Sequence, residues 1–247
     1  MKKWVYILAL LATVSTTAQN SANSNTDAVT AAVRTMMVPK TEWLSPFNKV
    51  EVDGAINIVF KRVESDEGLK IVYDTNGNPV SRFRAGVDKN GVLEIVDRAD
   101  SRQEVIPTEV TIWYKSLESI TINHATAIFE DTIENELLDI NIKSGAVVTM
   151  DIKSLDALVE CTGKSRLKIG GESRYFKLNI STAKVDGIAL QTTSAHIDAS
   201  HEAEVKIAVS ERLEAVTSTA AKLYYKGAPA ILRTKNSLFG GEIMAIE

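Results

Sequence analysis

From Trp43 onward the chain alternates apolar and polar residues with a period of two. Val50, Val52, Ala55, Ile56, Ile58 and Phe60 mark a first strand region, and Leu69, Ile71 and Tyr73 mark a second. The cluster DTNGNP at 74–79 is a dense turn signal. Val87, then Lys89, Asn90 and Gly91, then Leu93 and Ile95, predict a hairpin around an Asn-Gly turn. Val110, Ile112 and Tyr114 alternate again, followed by Leu117, Ile120 and Ile122. No helix-period segment of useful length occurs between 43 and 247, so the pattern predicts an all-β protein.

The second half repeats. An alternating strand running into small residues and back to a strand occurs as ITINHATAIF (120–129), INIKSGAVVTM (140–150), VECTGKSRLKI (159–169), LNISTAKVDGI (178–188), IDASHEAEVKI (197–207) and AVTSTAAKLYY (215–225). Anchored on His124, Ser144, Thr162, Ser181, Ser200 and Ser218, the units are spaced by 20, 18, 19, 19 and 18 residues. The competing explanation is a sandwich whose loops happen to be of regular length.

The period has a physical meaning. A parallel strand pairs with its equivalent in the next winding about 4.8 Å away, so each winding must close on itself. Nineteen residues give roughly 60 Å of path, enough to enclose a narrow aliphatic core. One winding cannot bury its apolar face alone, so neighbours must stack. The expected architecture is a β-solenoid of 18–20 residues per coil, a single-stranded parallel β-helix, with right-handedness taken by analogy. Alternation then places Val159, Cys161, Leu167 and Ile169 inside, and likewise Leu178, Ile180, Val185 and Ile188. Stacking predicts an outward row of Asn141, Glu160, Asn179 and Asp198, and another of Lys143, Lys164 and Lys184.

The N-terminus differs from the rest. Lys2 and Lys3 precede an uncharged apolar run from Trp4 to Val14, and small residues follow up to Ala18. This is the composition of a secretory signal peptide cleaved after Ala18. The run is too short to span a bilayer, which takes roughly 20 residues. Residues 19–41 read as a linker, with a short amphipathic stretch at 28–38 stopped by Pro39, and 42–247 as the solenoid domain. The expected location is therefore the periplasm, the cell surface or the medium, with no integral membrane segment after cleavage.

Charge and cysteine content narrow the chemistry. Of 28 basic side chains, cleavage removes Lys2 and Lys3, which against 32 acidic ones leaves a net charge of −6. The sequence shows no basic patch of the kind nucleic acid requires. Cys161 is the only cysteine, so no internal disulfide forms. Its place in an alternating run marks a small core residue rather than a reactive thiol.

No residue set spells out catalysis. Carboxylates are scattered, whereas a polysaccharide-cleaving β-helix needs acids clustered for a cation or as an acid/base pair. Of the histidines, His196 and His201 flank one strand-turn near Glu202 and Glu204. Spacing alone supplies about two metal ligands where three or four are needed. There is no G-x-S-x-G elbow and no phosphate-binding loop, so no catalytic residue, metal site or cofactor is assigned. Trp113, Tyr224 and Tyr225 are candidate surface contacts for sugar, against the plainer reading of one ring inside and one outside a strand.

The order FNKVEVDGAINIVF (47–60), LKIVYD (69–74), GVLEIVD (91–97), VTIWYKSLESITI (110–122) and the repeats resembles a family of secreted Bacteroidetes proteins, the auto-transporter adhesins with a head GIN domain. Gly54, Ile56 and Asn57 look like the motif that names it. The resemblance covers roughly 44–240 and implies a β-solenoid with an adhesin-like role. An autotransporter's own membrane barrel would need many alternating strands of about ten residues. No such run follows, so self-translocation is not expected.

These readings point to an exported, non-enzymatic binding or structural module, its partner a cell-surface glycan or protein. The alternative is a carbohydrate-active enzyme of the pectate-lyase-like β-helix kind. Self-assembly is a third expectation, because a solenoid carries open strand edges at its ends.

Overall fold

The alternating segments form strands throughout the computed structural model, which describes residues 39–98, 106–237 and 240–247. The expected signal peptide at 1–18 and the 28–38 stretch lie outside the described residues. The unit Met37–Glu247 holds everything below. In chain order the strands are β1 (Lys40–Trp43), β2 (Lys49–Gly54), β3 (Ile56–Arg62), β4 (Lys70–Asp74), β5 (Phe83–Val87), β6 (Val92–Asp97), β7 (Thr108–Tyr114), β8 (Ser119–Asn123), β9 (Thr126–Phe129), β10 (Ile133–Lys143), β11 (Val147–Thr162), β12 (Arg166–Ser181), β13 (Lys184–Ser200), β14 (Glu204–Thr217), β15 (Lys222–Lys226), β16 (Ile231–Asn236) and β17 (Glu242–Ile246). They join one hydrogen-bonded sheet that winds into a β-solenoid of about seven turns.

Register shows the winding. Val147 pairs with Arg166, Arg166 with Lys184 and Lys184 with Glu204, all in parallel. A straight 16-residue strand such as β11 would be roughly 53 Å long, so a partner in the adjacent winding requires that each strand bend. The bends show in the burial pattern. In β13 alternation restarts at Leu190 and again at Ala195, giving three short inward-facing runs.

Inward side chains form continuous columns. One is Ile120, Ile140, Val159, Leu178, Ile197 and Ala215, and another is Val148, Leu167, Val185, Val205 and Leu223. All are buried. Each large aliphatic side chain so placed contributes about 1.5–3 kcal/mol. Cys161 sits in a third column, between Ile142 and Ile180. Burial pushes its thiol up to about 12, so it stays protonated and inert.

Three expectations shift by register. The laterally stacked corner row is Asn123, Lys143, Thr162, Ser181, Ser200 and Ser218, so His124 and Ser144 stand one residue further along than the other anchors. His124, Ser144, Gly163, Thr182, His201 and Thr219 are the next row, and all have φ between 50° and 68°. Backbone hydrogen bonds between windings hold this left-handed corner, as in Thr182 N–H to Ser200 O. Ile188 is half-buried at the surface rather than inside. One extra residue between Asp186 and Leu190 flips the alternation, and Leu190 takes the core place. The row of three lysines does not form. Lys184 lies instead between Arg166 and Glu204, its ammonium 2.7 Å from the Glu204 carboxylate. The row Asn141, Glu160, Asn179 and Asp198 does form.

The N-terminal part departs from simple winding. β2 lies between β6 and β8, and β3 between β7 and β9, so the first winding is flanked on both sides by later ones. β1 and β4, with Lys40 and Thr41 already in the sheet, add antiparallel strands beside β7, and β5 adds another beside β6. The β5–β6 hairpin closes through a turn in which Gly91 N–H donates to Asp88 O, with Gly91 at φ 71°. Most rings of the core gather here, with Phe60 stacked 4.3 Å from Phe129 and Tyr73 beside Phe83.

Candidate functional site

On one side of each winding the chain needs only a few residues to turn between two inward runs. There Asn135, Ser154, Ser173 and Thr192 stack in register. Their hydrogen bonds fasten them to the backbone or to each other: Ser154 Oγ–H to Ser173 Oγ at 3.0 Å, Ser173 Oγ–H to Tyr175 O at 3.1 Å, Thr192 Oγ1–H to Ala208 O at 2.7 Å. Small side chains held down in this way leave a hollow. The outward row Glu134, Lys153, Glu172 and Gln191 forms one wall. Glu136, Leu155, Arg174 and Thr193 form the other.

The result is an open trench of about 1360 Å³ that crosses β10 to β14 and reaches Lys226. Five strand spacings, from β10 to β15, give it a length of about 24 Å. Its charged side chains are Glu134, Glu136 and Glu172 against Lys153, Arg174 and Lys226, so the signs balance. A second depression shares Arg174 and Thr193 with it and adds Tyr175. Tyr175 is 45% exposed, and the Arg174 guanidinium sits 5.4 Å from its ring centroid.

The aromatic candidates from sequence lie elsewhere. Trp113 is on β7, where the Lys70 ammonium sits 4.5 Å from its ring and 5.8 Å from that of Trp43. Tyr224 points outward from β15 beside Lys206, and Tyr225 packs against the core. The structure does not bring Trp113 together with the two tyrosines, and none of the three lines the trench. Its residues carry one sequence signal: Ser154, Ser173 and Thr192 recur every nineteen positions.

The histidines are held in ordinary polar contacts. His196 lies between Asp198 at 3.3 Å and Glu214 at 3.6 Å, and Arg212 and Arg233 also engage Glu214. The hydrogen bond from Arg212 holds the Glu214 carboxyl below its ordinary range. His124 approaches Asp53 at 3.4 Å, and His201 faces the hydroxyls of Ser181 and Ser200. Among the described residues no three His, Cys, Asp or Glu side chains converge to hold a metal ion. None of their helices is long and apolar enough to cross a membrane.

The family motif residues are structural. Gly54 closes β2 at φ 123°, where a Cβ would run into the Asp97 carbonyl. Ile56 is buried, and Asn57 donates to Glu109 Oε1 at 2.8 Å. The family described as "Putative auto-transporter adhesin, head GIN domain" matches residues 46–229. The chain belongs to this family. Its head GIN fold is similar to that of a crystal structure of a "putative adhesin" from Bacteroides fragilis, with a TM-score of 0.74 at 19% identity, covering 85% of this chain and 96% of that one. A "putative adhesin" from Parabacteroides merdae follows at a TM-score of 0.67 and 15% identity, with the same coverages. A "putative lipid binding protein" from Parabacteroides distasonis gives 0.63 and 13%, again with the same coverages. At these identities the likeness is one of fold. No curated protein matches the sequence.

Proposed function

We propose that this head GIN protein is an exported, non-enzymatic binding module whose trench holds a stretch of neutral, hydroxyl-rich cell-surface glycan. The observation that carries this reading is the trench itself. It is long, open at the surface and balanced in charge, with hydroxyl and amide groups on its floor and a tyrosine ring beside it. Polar groups spread along a trench suit a polymer held at many weak points. Balanced signs select neither a polyanion nor a polycation. A lyase-like reaction would need converging acids, and the three trench glutamates are spread over β10 and β12. A lipid chain would need an apolar cavity, whereas side chains fill the solenoid interior. Export rests on the composition of residues 1–18 and is checked by whether the chain recovered from its cell of origin begins at Gln19.

The test is a glycan-array screen of the exported chain, followed by titration of the best oligosaccharide and a reducing-end assay on the same sugar. Binding without product release is the expected result. Arg174→Ala combined with Tyr175→Ala is expected to weaken binding about tenfold or more, from one charged hydrogen bond and one ring face. Trp113→Ala, away from the trench, leaves affinity unchanged. Release of reducing ends would turn the reading into the enzyme alternative. Absence of binding to any glycan would remove it.

A further inference from the structure

The two ends of the solenoid are built differently. At the first end the antiparallel strands β1 and β5 lie beside β4 and β6. At the other end β16 and β17 form the last winding, and their partners are β14 and β15 below them. Every residue of β16 is exposed, and so is every residue of β17 except Ile243. Leu232 continues the core column above Leu213 yet is 47% exposed, and Ile243 stands above Leu223. Ile231, Met244 and Ile246 add exposed apolar surface. Among the described residues nothing pairs with the outer edges of β16 and β17 or covers the side chains above the core, and such an edge is a template for pairing.

The charges say what fits it. β16 carries Arg233 and Lys235 and no acid, whereas Glu242 opens β17 and Glu247 follows it. We propose that a second copy of this chain covers this end, in a closed two-fold dimer in which β16 of each copy lies antiparallel to β17 of the other. A two-fold axis across the solenoid reverses the sense of winding, so facing strands run antiparallel. One register satisfies both the charges and the core. Lys235 opposes Glu242 and Ile231 opposes Ile246 on the outside, while Leu232 and Thr234 meet Ala245 and Ile243 within. Pairing β16 with itself would set Arg233 against Lys235, which like charges disfavour. The contact is the same from both sides and uses up both strand edges of this end, so assembly through it stops at two. This inference does not depend on what the trench binds.

Sedimentation velocity over a concentration series tests it, with a concentration-dependent dimer and nothing larger expected. Lys235→Glu, which sets two carboxylates against each other at both symmetric contacts, weakens the dimer about tenfold or more. Adding Glu242→Lys to that variant restores it, and thermal melting shows that both variants fold. Lys235→Cys with Glu242→Cys gives a covalent dimer on oxidation, and Lys235→Cys alone does not. A monomer at every concentration overturns the proposal. So do larger polymers, and so does a dimer indifferent to the charge reversals.

Discussion

Gly171→Val is expected to destabilise the solenoid by about 4 kcal/mol or more, measured by urea denaturation. Gly171 has φ 94°, and a Cβ built on it falls onto the carbonyl oxygen of Ile152 in the neighbouring winding. Two costs combine. A β-branched residue at positive φ is strained, and the obstacle is backbone that can yield only by parting two windings. Those windings are joined by the long β11–β12 ladder, so the strain sits where stacking is most continuous. Stability in stacked repeats depends on each nearest-neighbour interface, so a damaged central interface weakens both flanks. Gly145 supplies the control. It has φ 79°, but a methyl placed there meets nothing within 4 Å, so Gly145→Ala carries only the conformational cost, about 1 kcal/mol. Equal effects at the two sites would mean that close stacking of windings is not what constrains Gly171.

Asp97→Ala is the second large effect, expected at about 3–5 kcal/mol. The Asp97 side chain is wholly buried at the end of β6, and Arg82, with 16% of its side chain exposed, grips it with two nitrogens. Thr108 Oγ1–H donates to the same carboxylate at 2.7 Å. This hydrogen bonding raises the Arg82 guanidinium above its ordinary value, so the cation persists at any workable pH. Removing the carboxylate strands a largely buried charge and a buried hydroxyl together, beside the corner that Gly54 closes. Arg82→Met with Asp97→Leu and Thr108→Val should recover more than half of the loss, because apolar side chains replace the ion pair and its hydroxyl donor without stranding any of the three. A single variant as stable as wild type would show that the pair contributes nothing to this end of the fold.

Much of the architecture is legible in the amino-acid order, because the repeat length equals the path around one winding. Alternation alone places Val159, Cys161, Leu167 and Ile169 inside, and all four are buried. Residue type misleads where geometry rules instead. His124 and Ser144 align with the wrong row because the left-handed corner tolerates histidine and threonine as well as small residues. Ile188 is misplaced because a single-residue bulge leaves no mark in composition. The interleaved order of β2, β6 and β8 is invisible, since nothing in an alternating strand says which neighbour it will choose after an antiparallel detour. The trench escapes notice for a related reason. Ser154, Ser173 and Thr192 are unremarkable singly, and become a floor only when nineteen-residue neighbours lie side by side. Trp113 draws attention as a large ring, whereas Tyr175, placed by the fold beside the trench, does not.

Trench, open end and core columns all require that windings stack in register. Nitroxide labels at Glu51 and Asp198 read this directly by electron-electron distance measurement. The two residues belong to one outward row, running through Thr121, Asn141, Glu160 and Asn179. Five strand spacings predict a single distribution centred at about 24 Å, widened by the label tethers. A broad spread, or a centre displaced by more than the tethers allow, would contradict the stacking and the binding surface built on it.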